Sequence, residues 1–505
     1  MAYAHFERLS ALDTVFLDIE DRNTHMHVGA VSLFDAPPLL GADGLVDMDR
    51  IRRVIQVGLH RVPRYQQRLA YVPLFGSPVW VDDEHFNLSY HLRHVSLPRP
   101  GDERLLKRLT GRIMSQQLDR GKPLWELWVV EGVEGNRVAL ITKAHHCMID
   151  GVGSVELSSA LMRATPDIER RLDNPPHWLP RPAPTPFELV LSEIGRRAGE
   201  PLGMLRAAGR ALTNPGTSLR AARDAVIGVE EAVSAGLHPT SATPLNVPIG
   251  PHRRFDWLEM DLAAVKEVKQ RLGGTINDVV LAVVAGALGR FLHARGLNLK
   301  GIDFRAMLPV SVRDENERES MGNRVTMMVT PLPLDERAPR QRLQRVIDAT
   351  GALKRSHQAL GVKTLEEVGD STFTTLFSAF VRLAAVTHPY NIVVTNVPGP
   401  QFQSYFLGAP MRAVYPLVPL YTNQALGIAL FSYNGRLFWG FNADWDALPD
   451  LHELADATST EFNLLRDAAA AISIGTATKP LRTPRRKRTP ARGSFGASIA
   501  RAERV

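Results

Sequence analysis

Lys143-Ala144-His145-His146-Cys147-Met148-Ile149-Asp150-Gly151 places two imidazoles and a carboxylate around one short turn. The ordinary pKa of histidine lies near neutrality, so an imidazole held in a cleft can take a proton from a hydroxyl or thiol and return it to a leaving group. Asp150 is placed to orient a ring or brace the turn, and Gly151 lets the backbone leave in a conformation that a side chain would obstruct. Upstream, residues 124–130 and 137–142 are β-rich runs joined through Glu134-Gly135-Asn136, the pattern of a hairpin. Downstream, residues 154–162 carry a helical pattern after Gly151-Val152-Gly153. Strand, histidine turn and helix put the imidazoles at the rim of a sheet. Neighbouring side chains of an extended segment point to opposite faces, so one of His145 and His146 faces the cleft while the other is packed and hydrogen-bonded behind it. The same alternation turns Cys147 into the packing.

Residue chemistry alone leaves several readings of this turn. A packed histidine pair is the plainest. Zinc sites usually show Cys/His spacing or H-E-x-x-H, and neither occurs here. A Ser-His-Asp hydrolase would need a nucleophile elbow, and no G-x-S-x-G is present. Direct general-base catalysis of acyl transfer is a fourth reading, which the residues alone do not single out.

His145-His146-x-x-x-Asp150-Gly151, preceded by Pro123-Leu124-Trp125-Glu126, resembles the bacterial wax ester synthase/acyl-CoA:diacylglycerol acyltransferase family, particularly its mycobacterial-type triacylglycerol synthases. The resemblance runs through Leu9-Ser10-Ala11-Leu12-Asp13, Thr275-Ile276-Asn277-Asp278-Val279, Pro309-Val310-Ser311-Val312-Arg313, Gly322-Asn323-Arg324-Val325, Thr395-Asn396-Val397-Pro398-Gly399-Pro400 and Tyr415-Pro416-Leu417-Val418-Pro419. Cys147 departs from the alanine common there, which argues against a required thiol. The resemblance implies an α/β fold of two related mixed-sheet domains of the chloramphenicol-acetyltransferase-like type, with an active-site channel between them. It implies acyl-CoA as donor substrate, diacylglycerol or a long-chain alcohol as acceptor, and neither cofactor nor metal. It makes His146 the base and puts Asn277 near the developing oxyanion, with His145, Asp150 and Gly151 shaping the turn and Asp278 in support. Condensation domains of peptide synthesis share His-His-x-x-x-Asp-Gly, and a non-catalytic lipid-binding paralogue is a second rival.

Elementary reading of the same segments is more conservative. Thr275 and Asp278 have the spacing of residues that cap the apolar helix following them, and Ser10 with Asp13 has capping-box spacing. Arg313 is the expected partner of Asp150, since a buried carboxylate needs one. Trp125 and the Pro398-Gly399-Pro400 turn are expected to shape the channel. Phosphate-cradling glycine motifs of Walker or dinucleotide type are absent, which removes the usual sequence argument for ATP or NAD.

With 505 residues, 44% hydrophobic and 22% charged, the chain can bury a sizeable core. One cysteine excludes an intramolecular disulfide framework and fits a reducing compartment, and no secretory signal is visible, so the expected location is cytoplasmic. Between Arg382 and Arg436 only Arg412 is charged, but six prolines there argue for buried strands and loops over membrane spans. Residues 478–505 hold nine basic side chains and Glu503, so this tail carries +8 and the remaining chain is near −1. An anionic membrane or lipid-droplet surface is the partner such a tail suits, a solubilising role is the alternative, and specific nucleic-acid binding is not expected without an aromatic platform. The expected organisation is an acyltransferase domain over 1–165, a Pro-rich connector and helical crossover over 166–254, a second acyltransferase domain over 255–475 and a disordered tail over 476–505. Residues 187–235 within the crossover read as helical, packed on the scaffold or lying at an interface.

Overall fold

The fold is that of a computed structural model, which describes residues 6–148, 160–167, 177–198, 238–311, 325–359 and 387–471. Among the described residues, three sheets organise it. The first has six strands in the order β12 (Tyr405–Phe406), β13 (Ala409–Leu417), β2 (His27–Asp35), β7 (Arg137–His145), β6 (Trp125–Val133) and β5 (Leu92–Ser96), all antiparallel except β5 beside β6. The second runs β10 (Val325–Pro331), β9 (Arg305–Ser311), β11 (Ile392–Pro398), β14 (Leu426–Tyr433), β15 (Arg436–Asp444) and β8 (Arg253–Asp261), parallel at β9–β11–β14 and antiparallel elsewhere. A small antiparallel sheet joins β1 (Phe6–Arg8), β4 (Pro78–Asp82) and β3 (Gln67–Tyr71). The expected hairpin joins β6 to β7, with Gly135 at φ 81° and Asn136 at φ 55° supplying the left-handed turn.

The two large sheets carry separate cores, as two α/β domains should. Strands β12 and β13 nevertheless leave the stretch read from sequence as the second domain and complete the first sheet at β2, with Arg412 and Asp35 paired across the junction. The crossover covers an edge that would otherwise expose unpaired amides and carbonyls. It also brings the domains together: Tyr415 stacks on Trp257 of β8 at 4.6 Å, and a Cβ on Gly440 of β15 would lie 1.8 Å from the Pro416 carbonyl. Only glycine permits that approach.

Helices α1 (Ala11–Ile19), α2 (Met48–Leu59), α3 (Leu88–His91) and α4 (Glu103–Met114) belong to the first domain. Ser10 caps α1, its hydroxyl accepting the Asp13 amide at 3.1 Å. In the second domain the Ile276–Ala294 helix is apolar over most of its circumference because residues 278–289 are buried, while Asn277 and Arg290 reach the surface. By length and composition it could cross a membrane, but 78% of its most apolar window is buried inside the protein. Helix 186–198 begins at a capping box, Thr185 with Glu188, with Pro186 in the first turn, and it lays Leu189 against the three-stranded sheet. The scaffold-packed reading therefore holds for its inner face. Residues 199–237 of the expected helical crossover, and the basic tail, lie outside the described residues.

Candidate active site

Strand β7 delivers the histidine turn. Its last residue, His145, is buried, and its backbone N–H donates to the Leu124 carbonyl at 2.9 Å, so Pro123-Leu124-Trp125-Glu126 acts as the rail along which the turn is laid. His146, Cys147 and Met148 then form a 3₁₀ turn, where an extended segment was expected. The His146 N–H donates to the Met26 carbonyl at 2.7 Å, which ties the turn to the start of β2. The half-buried His146 ring stacks on Phe16 of α1, with centroids 3.9 Å apart. Burial pushes its pKa down to about 4, so the imidazole is neutral at physiological pH and can accept a proton.

His145 is held from both ring edges. Its Nδ1 accepts the Cys147 backbone N–H at 3.1 Å, which leaves the proton on Nε2, 3.5 Å from Glu20 Oε2. That same carboxylate oxygen accepts from Arg120 at 2.8 Å, while Oε1 accepts the Met26 N–H at 3.3 Å and lies 3.6 Å from His27 Nε2. Burial alone would raise the Glu20 pKa, but His145 and Arg120 outweigh it and bring the group down to about 2. His27 is fully enclosed, and burial, together with the nearby Lys143 cation, pushes its pKa well below the ordinary value. Lys143, also buried, donates to the carbonyls of Ile113 and Gln116 at the end of α4, and burial lowers its pKa to about 8. The result is one buried polar cluster whose purpose is to fix the strand end carrying His146.

Glu20, His27 and Arg120 escaped the sequence reading. Their signal was present in His25-Met26-His27, a period-2 histidine pair at the start of a strand, and His27 lies directly opposite His145 in the β2–β7 register.

In the second domain Thr275 and Asp278 close a capping box on the Ile276–Ala294 helix, and Thr350 also donates to Asp278 at 2.7 Å. Asp278 thus caps the helix, as its spacing from Thr275 predicts. Asn277 is exposed, and its Oδ1 accepts from Asn396 Nδ2 at 2.7 Å, so two segments distant in sequence meet at the ends of the helix and β11. Among the described residues no hydrogen bond or ion pair joins Asn277 to the histidine turn. Trp125 corrects an expectation: it is buried, stacks on His91 at 4.7 Å and donates to the Tyr65 carbonyl at 2.7 Å, so it belongs to the core and not to a channel wall. Asp150, Gly151 and Arg313 lie outside the described residues. Among the described residues no group of three or more His, Cys, Asp or Glu side chains is arranged to hold a metal ion.

A neutral, half-buried imidazole backed by the Glu20–Arg120 ion pair, on one of two linked mixed-sheet domains, has the chemistry of a general base. The wax ester synthase/diacylglycerol acyltransferase catalytic domain matches residues 9–280, and the C-terminal domain of the same family matches residues 321–466. The chain belongs to the wax ester synthase/diacylglycerol acyltransferase family. A putative diacylglycerol O-acyltransferase of Mycobacterium tuberculosis is 34% identical over 470 residues, covering 90% of this chain and 89% of the relative. The probable diacylglycerol O-acyltransferase tgs1 of the same species is 30% identical over 458 residues, covering 88% and 93%. The solved wax ester synthase/diacylglycerol acyltransferase of Marinobacter aquaeolei VT8 superposes with a TM-score of 0.64 at 27% identity, over 92% of this chain and all of that one. A condensation domain of the calcium-dependent antibiotic synthetase shares the fold at 16% identity and a TM-score of 0.56.

Proposed function

We propose that this enzyme transfers the acyl group of acyl-CoA directly to the hydroxyl of diacylglycerol, giving triacylglycerol, with long-chain alcohols as second acceptors. The observation that carries this reading is the His146 ring: neutral, half-buried, stacked on Phe16 and carried by a turn that His145 and Glu20 brace. With Nδ1 buried, Nε2 takes the proton of the acceptor hydroxyl as its oxygen attacks the thioester carbonyl. The tetrahedral oxyanion collapses, the C–S bond breaks, and the proton passes to the departing CoA thiolate. His145 positions the turn, Asp150 and Gly151 shape it, and Arg313 is the proposed partner of Asp150. Asn277 donates toward the oxyanion. No cofactor or metal enters these steps. The reading puts the enzyme in the cytoplasm, at an anionic membrane or lipid-droplet surface that the basic tail reaches. Purified protein given labelled acyl-CoA with diacylglycerol, hexadecanol or an aminoacyl carrier tests it: transfer to the carrier alone would replace it with condensation chemistry, and transfer to none would leave a lipid-binding protein.

Three expectations follow from the geometry. Asn277→Ala should lower kcat roughly 10²-fold, the usual scale for a lost oxyanion donor, with the melting temperature almost unchanged because Thr275 and Asp278 hold the cap. A drop in stability with normal kcat would return Asn277 to a structural role.

The rate should depend on the unprotonated His146. Because its folded pKa is depressed to about 4, kcat/KM stays level from neutral pH to about 5 and falls as the pH drops through about 4. An acid limb centred near the ordinary histidine value, in protein still folded by circular dichroism, would contradict this.

Cys147 is buried, and burial raises its thiol pKa well above the ordinary value, so it is a poor nucleophile. Cys147→Ala should keep most of the transfer rate, and no acyl-protein should accumulate when acyl-CoA is supplied without acceptor. A thioester trapped at Cys147 by mass spectrometry, with loss of rate in the variant, would establish a covalent path instead.

A further inference from the structure

Between Glu20 and the start of β2 the chain makes a tight turn. The Asp21 carboxylate accepts the Asn23 and Thr24 amides, both at 2.7 Å, and the Asp21 N–H donates to the Thr24 carbonyl at 3.1 Å. A turn bonded to itself in this way passes any restraint on its tip to its two ends. At one end is Glu20; at the other is Met26, whose carbonyl accepts the His146 amide. The tip is held from the second domain. Arg253, the first residue of β8, is only 3% exposed, and its Nη2 reaches into the first domain to donate to the Asn23 carbonyl. Its Nη1 donates to the carbonyls of Gly250 and His252, at 2.7 and 3.1 Å, in the segment leading into β8.

The backbone of Arg253 grips a second support of the histidine turn. Its N–H donates at 2.8 Å to the hydroxyl of Ser115, the residue that follows α4, and a Cβ on Gly111 would lie 2.6 Å from the Arg253 carbonyl. The end of α4 offers the Ile113 and Gln116 carbonyls to Lys143, two residues before His145, and the segment beyond it carries Arg120 to Glu20. Loop and helix end therefore meet at one residue of the other domain.

That residue is an expensive choice. Burying a guanidinium carries a large desolvation cost, and all the hydrogen bonds of this one go to neutral carbonyls. Burial pushes its pKa down to about 10 against the pull of Asp444 and Asp21, so it is still a cation at neutral pH. What a guanidinium offers in return is geometry. Its planar fork can join three carbonyls in fixed directions, whereas an ammonium is a point charge on a flexible stem.

We propose that Arg253 is a positioning residue for the reaction: it holds the turn at residues 21–24, and through Met26 the His146 imidazole, in register with the second domain. The proposal rests on the reading of His146 as the general base.

The test uses the full-length protein, with hydrogen exchange followed by mass spectrometry and with kcat and KM for labelled acyl-CoA and diacylglycerol. Arg253→Lys keeps the charge and loses the fork. Exchange should quicken in peptides covering residues 20–27 and 143–148 and stay unchanged in the Ile276–Ala294 helix. Misplacement on the ångström scale should lower kcat roughly 10²-fold with little change in KM. Ser115→Ala, which loosens the same corner with Arg253 intact, should move both readings in the same direction by less. Leu465→Ala, in the core of the second domain, should lower the melting temperature and leave kcat of the folded protein unchanged. In a His146→Ala background Arg253→Lys should cost almost nothing further, since residues that act as one unit are not additive. Exchange that matches the unsubstituted protein at 20–27 and 143–148 in both Arg253→Lys and Ser115→Ala would overturn the proposal. So would a loss of rate as large in the His146→Ala background as outside it, or one that Leu465→Ala reproduces, since either would leave Arg253 a purely structural residue. Absence of turnover by the unsubstituted protein on every acceptor would instead sink the enzymatic reading, and exchange would still show whether Arg253 holds the turn.

Discussion

His146→Ala lowers turnover with acyl-CoA and diacylglycerol about 10²–10⁴-fold, the usual contribution of a positioned general base. The effect on folding is expected to be small. The ring is half-buried and its main described contact is the stack on Phe16, an aromatic pair worth about 0.5–1.5 kcal/mol. Its backbone bond to Met26 does not depend on the side chain. His145→Ala makes the contrast: it removes the acceptor of the Cys147 amide and one partner of Glu20 inside the core, so destabilisation accompanies any loss of rate. Urea unfolding and single-turnover kinetics on both variants separate the two. Near-normal turnover in a stably folded His146 variant would remove the base from this position and with it the direct-transfer mechanism.

What could be read from the sequence is what depends on near neighbours. The β6–β7 hairpin follows from Glu134-Gly135-Asn136, and the caps at Ser10 and Thr275 follow from a side chain and an amide three residues apart. Burial of Cys147 was also anticipated, but for the wrong local reason: the chain enters a 3₁₀ turn at His146, and it is this turn that points the thiol inward. Trp125 was placed at the channel although a resemblance in sequence does not say which way a side chain faces, and the β6 register turns the indole onto His91 and Tyr65. The Glu20 cluster was invisible for a different cause. It forms only when β2 pairs with β7 and α4 delivers Arg120 from the chain segment that follows it, and no spacing within one segment encodes that meeting. The crossing of β13 into the first sheet is non-local in the same sense.

Glu20 is where this cluster is most sensitive. The carboxylate is buried, yet it is ionised down to about pH 2 because His145 and Arg120 compensate its lost hydration. Glu20→Gln keeps the shape and removes the charge, leaving Arg120 without its counterion and the Nε2 of His145 facing a weaker acceptor. Arg120 is partly open to solvent, so its loss of pairing is moderated by screening. The expected destabilisation at neutral pH is about 3 kcal/mol, the free energy that corresponds to the depression of the Glu20 pKa from its ordinary 4.5. The pH dependence fixes the cause. A carboxylate whose folded pKa lies below its unfolded one contributes stability that is complete above about 4.5 and is lost as the pH falls toward about 2. The gap between the unsubstituted protein and Glu20→Gln should therefore be constant from pH 7 to 5 and close between 4.5 and 2. For the reaction, loosening His145 lets the His146 turn drift, and misplacement of a reacting group on the ångström scale costs on the order of 10²-fold. Lower kcat with little change in KM is the expected split, because the cluster acts through the position of His146. Unfolding curves for the two proteins that coincide at pH 7 would show that the ion pair does not hold the site. A gap that persists unchanged to pH 2 would show that the loss comes from packing and not from the charge.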